Sequence, residues 1–283
     1  HIDKILTLAE KFDTIAIGNG AGRSPETLKL ISELVKRCEK RMVLDADALI
    51  AVKPDYFKEK KIVVTPHLRE FYELSGERVH EEEKVLKVKN FIESYKLNCL
   101  TVHSAGFYVK KENQVANAVL YGKISVDFAS EISSSVLVVH SYVSKNLERK
   151  LRNKFLEKIF SELKEYSIDK NVKLALENVS LGSEGYGKTI SELEEIFEVI
   201  GEEDMGVTID FSHAYVIGQT FKLLDRFKHM VENIHLSNRE HSAIEGEILQ
   251  TLKRFLEKLK ENGYQGPLTI ESVSYTHLTL PTN

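Results

Sequence analysis

Five short apolar runs in the second half of the chain each end in a side chain that can bind a metal or handle a proton, and their recurrence leaves few folds open. SSVLVVHSY (134–142) delivers His140, VKLALENVS (172–180) delivers Glu177, and MGVTIDFSHA (205–214) delivers Asp210 with His213 three residues on. ENIHLSN (232–238) and GPLTIES (266–272) then deliver His235 and Glu271. The spacings along His140, Glu177, Asp210, His235 and Glu271 are 37, 33, 25 and 36 residues. A (β/α) barrel of eight units and roughly 250 residues uses about 30 residues per unit. Helical patterns at 147–166, 189–200 and 247–262, with the segment 219–231, separate the runs. Strands alternating with helices specify a parallel sheet. All five strand ends are then expected on the C-terminal rim, where such barrels keep their active sites.

The first half alternates in the same way with shorter units. FDTIAIGNGAGRS (12–24) reads as a strand and glycine-rich turn, and SPETLKLISELVKR (24–37) as a helix capped by Ser24 with Pro25 at its first position. RMVLDADAL (41–49), KIVVTPH (61–67), a charged helix over 77–95 and LNCLTVHS (97–104) follow. No Pro/Gly/Ser-rich linker separates the halves, so the change of motif near 110–118 sets the boundary: 1–114, 115–272 and a tail, 273–283. The fold class is α/β, a partial parallel sheet with helices followed by a partial (β/α) barrel of about strands 4 to 8.

Bulk properties narrow the chemistry. A net charge of −4 over 283 residues gives no electrostatic footprint for strong nucleic-acid binding. Two cysteines, Cys38 and Cys99, exclude a disulfide framework and a thiolate cluster. The absence of a signal peptide and of a long apolar span makes a cytoplasmic protein the expectation, with no membrane partner.

Taken singly, the strand-end residues have ordinary explanations. His140 alone reads as a rim histidine, Asp210 as a helix cap and Glu271 as a solvated terminus. Five in register point instead to a divalent-cation site, because carboxylates and imidazoles together supply suitable oxygen and nitrogen ligands. His229 and His241 stay with the structural explanation, and Glu245 in IEGEI is intermediate.

ALEN (175–178), TIDFSHA (208–214), IHLSN (234–238), EGEI (245–248) and GYQGPLTIES (263–272) together resemble the xylose isomerase-like TIM-barrel superfamily of sugar isomerases, epimerases and endonuclease IV-type nucleases. The resemblance implies a Mn, Mg, Co or Zn ion held by Glu177, Asp210, His235 and Glu271. Glu177 and Glu271 double as the acid/base pair, and His140, His213 and Glu245 line the site for a sugar or sugar phosphate. The nuclease branch carries an additional Asp-x-His after the IHLSN strand, where this chain reads Asn238-Arg239-Glu240.

IAIGNGAGRS, VLDADAL and VVTPHLREF resemble the ribokinase-like, ATP- or ADP-dependent NAD(P)H-hydrate dehydratases. That implies Gly18, Gly20, Gly22, Asp45, Asp47 and His67 around a nucleotide, with ATP or ADP and the hydrated cofactor as family ligands. The family's catalytic GSGD-type anion hole is missing, and Val102-His103 stands where a lysine is expected. Dehydratase activity is therefore not expected. The tail VSYTHLTLPT (273–282) resembles translated sequencing adapter. Two complementary fragments with such a tail read as a chimera; the alternatives are a true fusion whose first sheet completes the barrel, and a catalytically inactive polypeptide that binds nucleotide or metal. Oligomeric state is left open.

Overall fold

The structure, a computed structural model, describes residues 2–270 apart from 19, 59, 67, 77–82, 105 and 238–245. It contains two compact units, one up to Leu97 and one over Asn98–Glu271.

The first unit runs α1 (Ile2–Ala9), β1 (Thr14–Ile17), α2 (Pro25–Arg37), β2 (Arg41–Leu44), α3 (Asp47–Ala51), β3 (Ile62–Val64), α4 (Leu68–Ser75) and α5 (Lys84–Ser94). Helix α2 starts where the sequence says it should. The Ser24 hydroxyl accepts from Thr27 N at 3.2 Å, and Pro25 loses no hydrogen bond at the first position. Its apolar face buries Ile31, Leu34 and Val35 with Met42, Leu44, Leu49 and Phe57. The three strands are parallel in the order β1-β2-β3, with Ile17 opposite Leu44 and Leu44 opposite Val64. At the end of β1, Gly18 has φ +129°, and a Cβ there would lie 1.7 Å from the Asp45 carbonyl oxygen. Only glycine allows that approach.

The second unit runs β4 (Thr101–His103), α6 (Val115–Glu131), β5 (Val136–Val139), α7 (Arg149–Asp169), β6 (Lys173–Glu177), α8 (Ile190–Ile200) and β7 (Met205–Asp210). It continues with α9 (Phe211–Val216), α10 (Thr220–Phe227), β8 (Val231–Leu236), α11 (Gly246–Glu261) and β9 (Leu268–Ile270). The six strands are parallel and ordered as they occur in the chain. Both faces of β5 and β7 are buried, as a sheet covered by helices requires. Phe155, Ile159 and Phe160 of α7, Leu193 and Ile196 of α8, and Phe211, Phe227 and Phe255 fill the core.

Six strands stand where the spacing predicts five. LNCLTVHS, read with the first half, contributes β4, which pairs with β5 through Thr101–Val136 and His103–Val138. The compact units therefore divide at Leu97, earlier than the boundary at 114/115 suggested by the motifs. Val115 is the first residue of α6, a helix absent from the sequence reading. Its buried stripe, Val115, Ala118, Val119, Gly122, Val126 and Ala129, has helical spacing but is built from small and β-branched residues that carry a weak helical signal. The charged helix expected over 77–95 is seen from Lys84, and α3 and α4 were not anticipated. No helix among the described residues is long and apolar enough to cross a membrane.

Candidate metal centre

Strand β6 carries Glu177 to its C-terminal end, where the residue is 2% exposed. A buried carboxylate needs compensating partners, and Glu177 has three imidazoles. His235, at the corresponding end of β8, places Nδ1 2.9 Å from Glu177 Oε1. His103, the last residue of β4, places Nε2 2.9 Å from Oε2, and His140 Nε2 lies 3.3 Å from the same oxygen. Burial alone would raise the Glu177 pKa. The His235 charge and hydrogen bonds from His103, His140 and His235 outweigh it and hold the carboxyl well below its ordinary range. Burial opposes protonation of His103, but hydrogen bonding and charge attraction from Glu177 raise its pKa. Its Nδ1 lies 2.8 Å from the Ser104 carbonyl, so a protonated His103 donates from both nitrogens.

Asp210 ends β7 and starts α9. Its Oδ1 accepts from His213 N at 2.7 Å, which is the helix cap anticipated for it. Its Oδ2 is buried without a hydrogen-bond partner. Burial first, and the nearby Glu177 charge, raise the Asp210 pKa to about 6 against the opposing pull of His213. The neighbouring turn is fixed by Asn178, whose side chain accepts from Asp210 N at 2.8 Å and donates to Asp210 O at 3.1 Å. The Asn178 carbonyl lies 2.9 Å from His213 Nδ1, which orients that ring.

Two trios of donor atoms, His103–His140–Glu177 and Glu177–Asp210–His213, each lie within 4.8 Å of one another and share Glu177. This mixed oxygen and nitrogen set fits Mn, Co or Zn, and the unpartnered Asp210 Oδ2 is an acceptor that a cation would satisfy. Of the residues singled out in the sequence, the two trios contain His140, Glu177, Asp210 and His213, while His235 stands in neither and joins the cluster through Glu177. Glu245 and Glu271 lie outside the described residues, and His229 is exposed. His103 is the residue that sequence reasoning missed. Its signal was present, since Leu100-Thr101-Val102-His103-Ser104 repeats the pattern of Leu137-Val138-Val139-His140-Ser141.

The glycine-rich turn of the first unit has a different character. Gly22 N donates to Asp47 Oδ2 at 3.0 Å, and Arg23 Nε pairs with Asp47 Oδ1 at 2.6 Å. Thr65 donates to Asp45 Oδ1 at 2.8 Å. Gly18, Gly20 and Gly22 all have positive φ, as such a turn requires, while His67 lies outside the described residues. An acidic side chain thus takes an amide that could have faced a phosphate.

Comparison with known proteins follows the same division. A family model described as NAD(P)H-hydrate dehydratase matches residues 2–119, and one described as xylose isomerase-like TIM barrel matches residues 66–282. Over 85 residues the chain is 36% identical to a bifunctional NAD(P)H-hydrate repair enzyme of Thermofilum pendens, covering 29% of this chain and 16% of that protein. An uncharacterised protein of Methanocaldococcus jannaschii is 28% identical over 158 residues, 52% of this chain and 54% of its own. The chain therefore spans about a sixth of the first relative and about half of the second. Among solved structures, the apo 3-keto-D-glucoside 4-epimerase of E. coli superposes with a TM-score of 0.60 at 13% identity, covering 91% of each chain. A family 2 AP endonuclease from Brucella melitensis gives 0.60 at 11% identity, covering 92% of each. At these identities the likeness is one of fold. The run of parallel strands, the rim on which their terminal residues meet and a family match over most of the length agree: the chain belongs to the xylose isomerase-like TIM barrel family, and its residues 2–119 also match the NAD(P)H-hydrate dehydratase family model.

Proposed function

We propose that the rim cluster binds a divalent cation and serves the isomerisation or epimerisation of a sugar or sugar phosphate. The observation that supports this most is Glu177, a buried carboxylate contacted by three imidazoles beside an unpartnered Asp210 oxygen. Glu177, Asp210 and His235 would hold the ion, with Glu271 as fourth ligand. When bound, such an ion polarises a carbonyl and acidifies the neighbouring carbon. The chain's own residues then handle the proton. Glu177, held ionised, is the acceptor on one side, and Glu271 is its partner. His213, fixed by the Asn178 carbonyl, orients a substrate hydroxyl.

The two donor trios also favour a second reading, hydrolysis of a phosphodiester across a pair of cations, because His103 and His140 add nitrogen donors that one ion would not use. Cation stoichiometry separates the two: one ion per chain supports the epimerase reading, and two or three, reduced by His103→Ala, support the nuclease. Titration with Mn²⁺ or Zn²⁺, compared with Glu177→Gln, tests the site itself. At least a hundredfold loss of affinity is expected, and unchanged binding would remove the proposal.

The first unit we read as a dehydratase fragment without its phosphoryl-transfer machinery. The whole chain is then a junction of two incomplete proteins.

A further inference from the structure

The loops that follow β5 and β6 are fastened to each other and to the rim. Lys145 N donates to Glu184 O at 2.8 Å, and Ser144 bridges Gly185 in antiparallel fashion. Ser183 Oγ donates to Tyr108 OH at 3.1 Å, and that hydroxyl lies 3.0 Å from His140 Nδ1. At the end of the β6 loop, just before α8, stands Lys188, which is only 7% exposed.

Lys188 has no ion pair among the described residues. Its side chain meets that of Lys145, another cation. The nearest carboxylates are shared with other donors: Glu192, whose charge favours the Lys188 ammonium, accepts from Gly187 N and Lys188 N at 3.0 and 2.7 Å, and Glu184, which also feels Lys145, pairs with Lys110. Burial first, and then Lys145, depress the Lys188 pKa against the pull of Glu192, as expected for a poorly solvated ammonium group beside a second, exposed cation. The amino end of α8 adds positive potential. A cation so placed calls for an anion between the two side chains.

We infer that Lys145 and Lys188 form an anion subsite for the phosphate of a phosphate monoester, so that the substrate of the rim cluster is a phosphorylated sugar. The phosphorylated sugar as substrate rests on the function proposed above; the anion subsite does not. Two ammonium groups are balanced by a dianionic monoester, whereas a phosphodiester has one negative charge and leaves one of them uncompensated. The subsite thus favours the sugar-phosphate reading over the nuclease.

Calorimetric titration of the full chain with inorganic phosphate, metal removed, tests the subsite. Saturable binding is expected, weakened at least tenfold in Lys188→Met and in Lys145→Ala, and a ketopentose 5-phosphate should bind at least tenfold tighter than dimethyl phosphate. Lys188→Met should also melt at a higher temperature in phosphate-free buffer, because an unpaired buried charge is removed. If that variant does not fold, Lys145→Ala, changed at an exposed position, carries the same test. Equal phosphate affinity in wild type and variants, no saturable binding, or a diester bound as tightly as the monoester would overturn the inference. Phosphate binding without any metal binding sinks the rim-cluster reading alone; metal binding without phosphate binding sinks this one alone.

Discussion

At the scale of single residues, Glu177 and Asp210 answer the same burial in opposite ways. Glu177 has partners enough to stay ionised, while Asp210 gives one oxygen to a helix cap and leaves the other unpartnered. A carboxyl whose folded pKa stands near 6 rather than 3.8 is destabilising when ionised. Its contribution is favourable below the unfolded pKa and is lost as pH rises through 4 to 6, by about 3 kcal/mol in all. Asp210→Asn should therefore stabilise the metal-free protein at pH 7 by up to that amount, and the advantage should vanish as pH falls below about 4. Denaturant melts of both proteins across that range check the sign; an unchanged gap would mean that another group governs it. In the function proposed above the same substitution also removes a cation ligand, so stability and the proposed binding should pull apart at one atom.

At the scale of elements, Gly18 joins the ends of β1 and β2. Gly18→Ala should cost about 2–4 kcal/mol in chemical denaturation of the first unit, because the new methyl meets backbone rather than a side chain that could move aside. Legibility from sequence also divides by element. Strands β5 to β9 were readable because each is an apolar run ending in a chemical residue at barrel spacing. Helix α2 was readable because Ser24 and Pro25 announce it. Helix α6 was hidden by its Gly, Ala and Val stripe; β4 was legible as a strand in LNCLTVHS, but motifs that tie its neighbourhood to another family assigned it to the wrong sheet. The cation cluster was legible as a set of strand ends, but its centre was not. That Glu177 gathers three histidines depends on lateral strand order, which spacing along the chain does not encode. The Lys145–Lys188 pair depends on loop pairing and was equally invisible.

At the scale of the whole molecule, two apolar cores, one around Val35 and Leu44 and one around Phe155 and Phe160, serve two sets of family features. Residues 66–119 are claimed by both family models, which is where a junction between two proteins would be sought. With no GSGD motif in the chain, the purified protein should show no ATP- or ADP-dependent repair of NADH hydrate. Turnover clearly above background in a coupled NADH assay would contradict this. Strand β4 adds a last consequence. Within the described residues it hydrogen-bonds to a strand on one side alone, yet it supplies a histidine to Glu177. Peptide groups in so short an edge exchange their protons through local opening, well before the domain unfolds. Opening of Thr101 to His103 would withdraw that histidine from Glu177, so a neighbour added to this edge should tighten the proposed cation binding without touching a ligand.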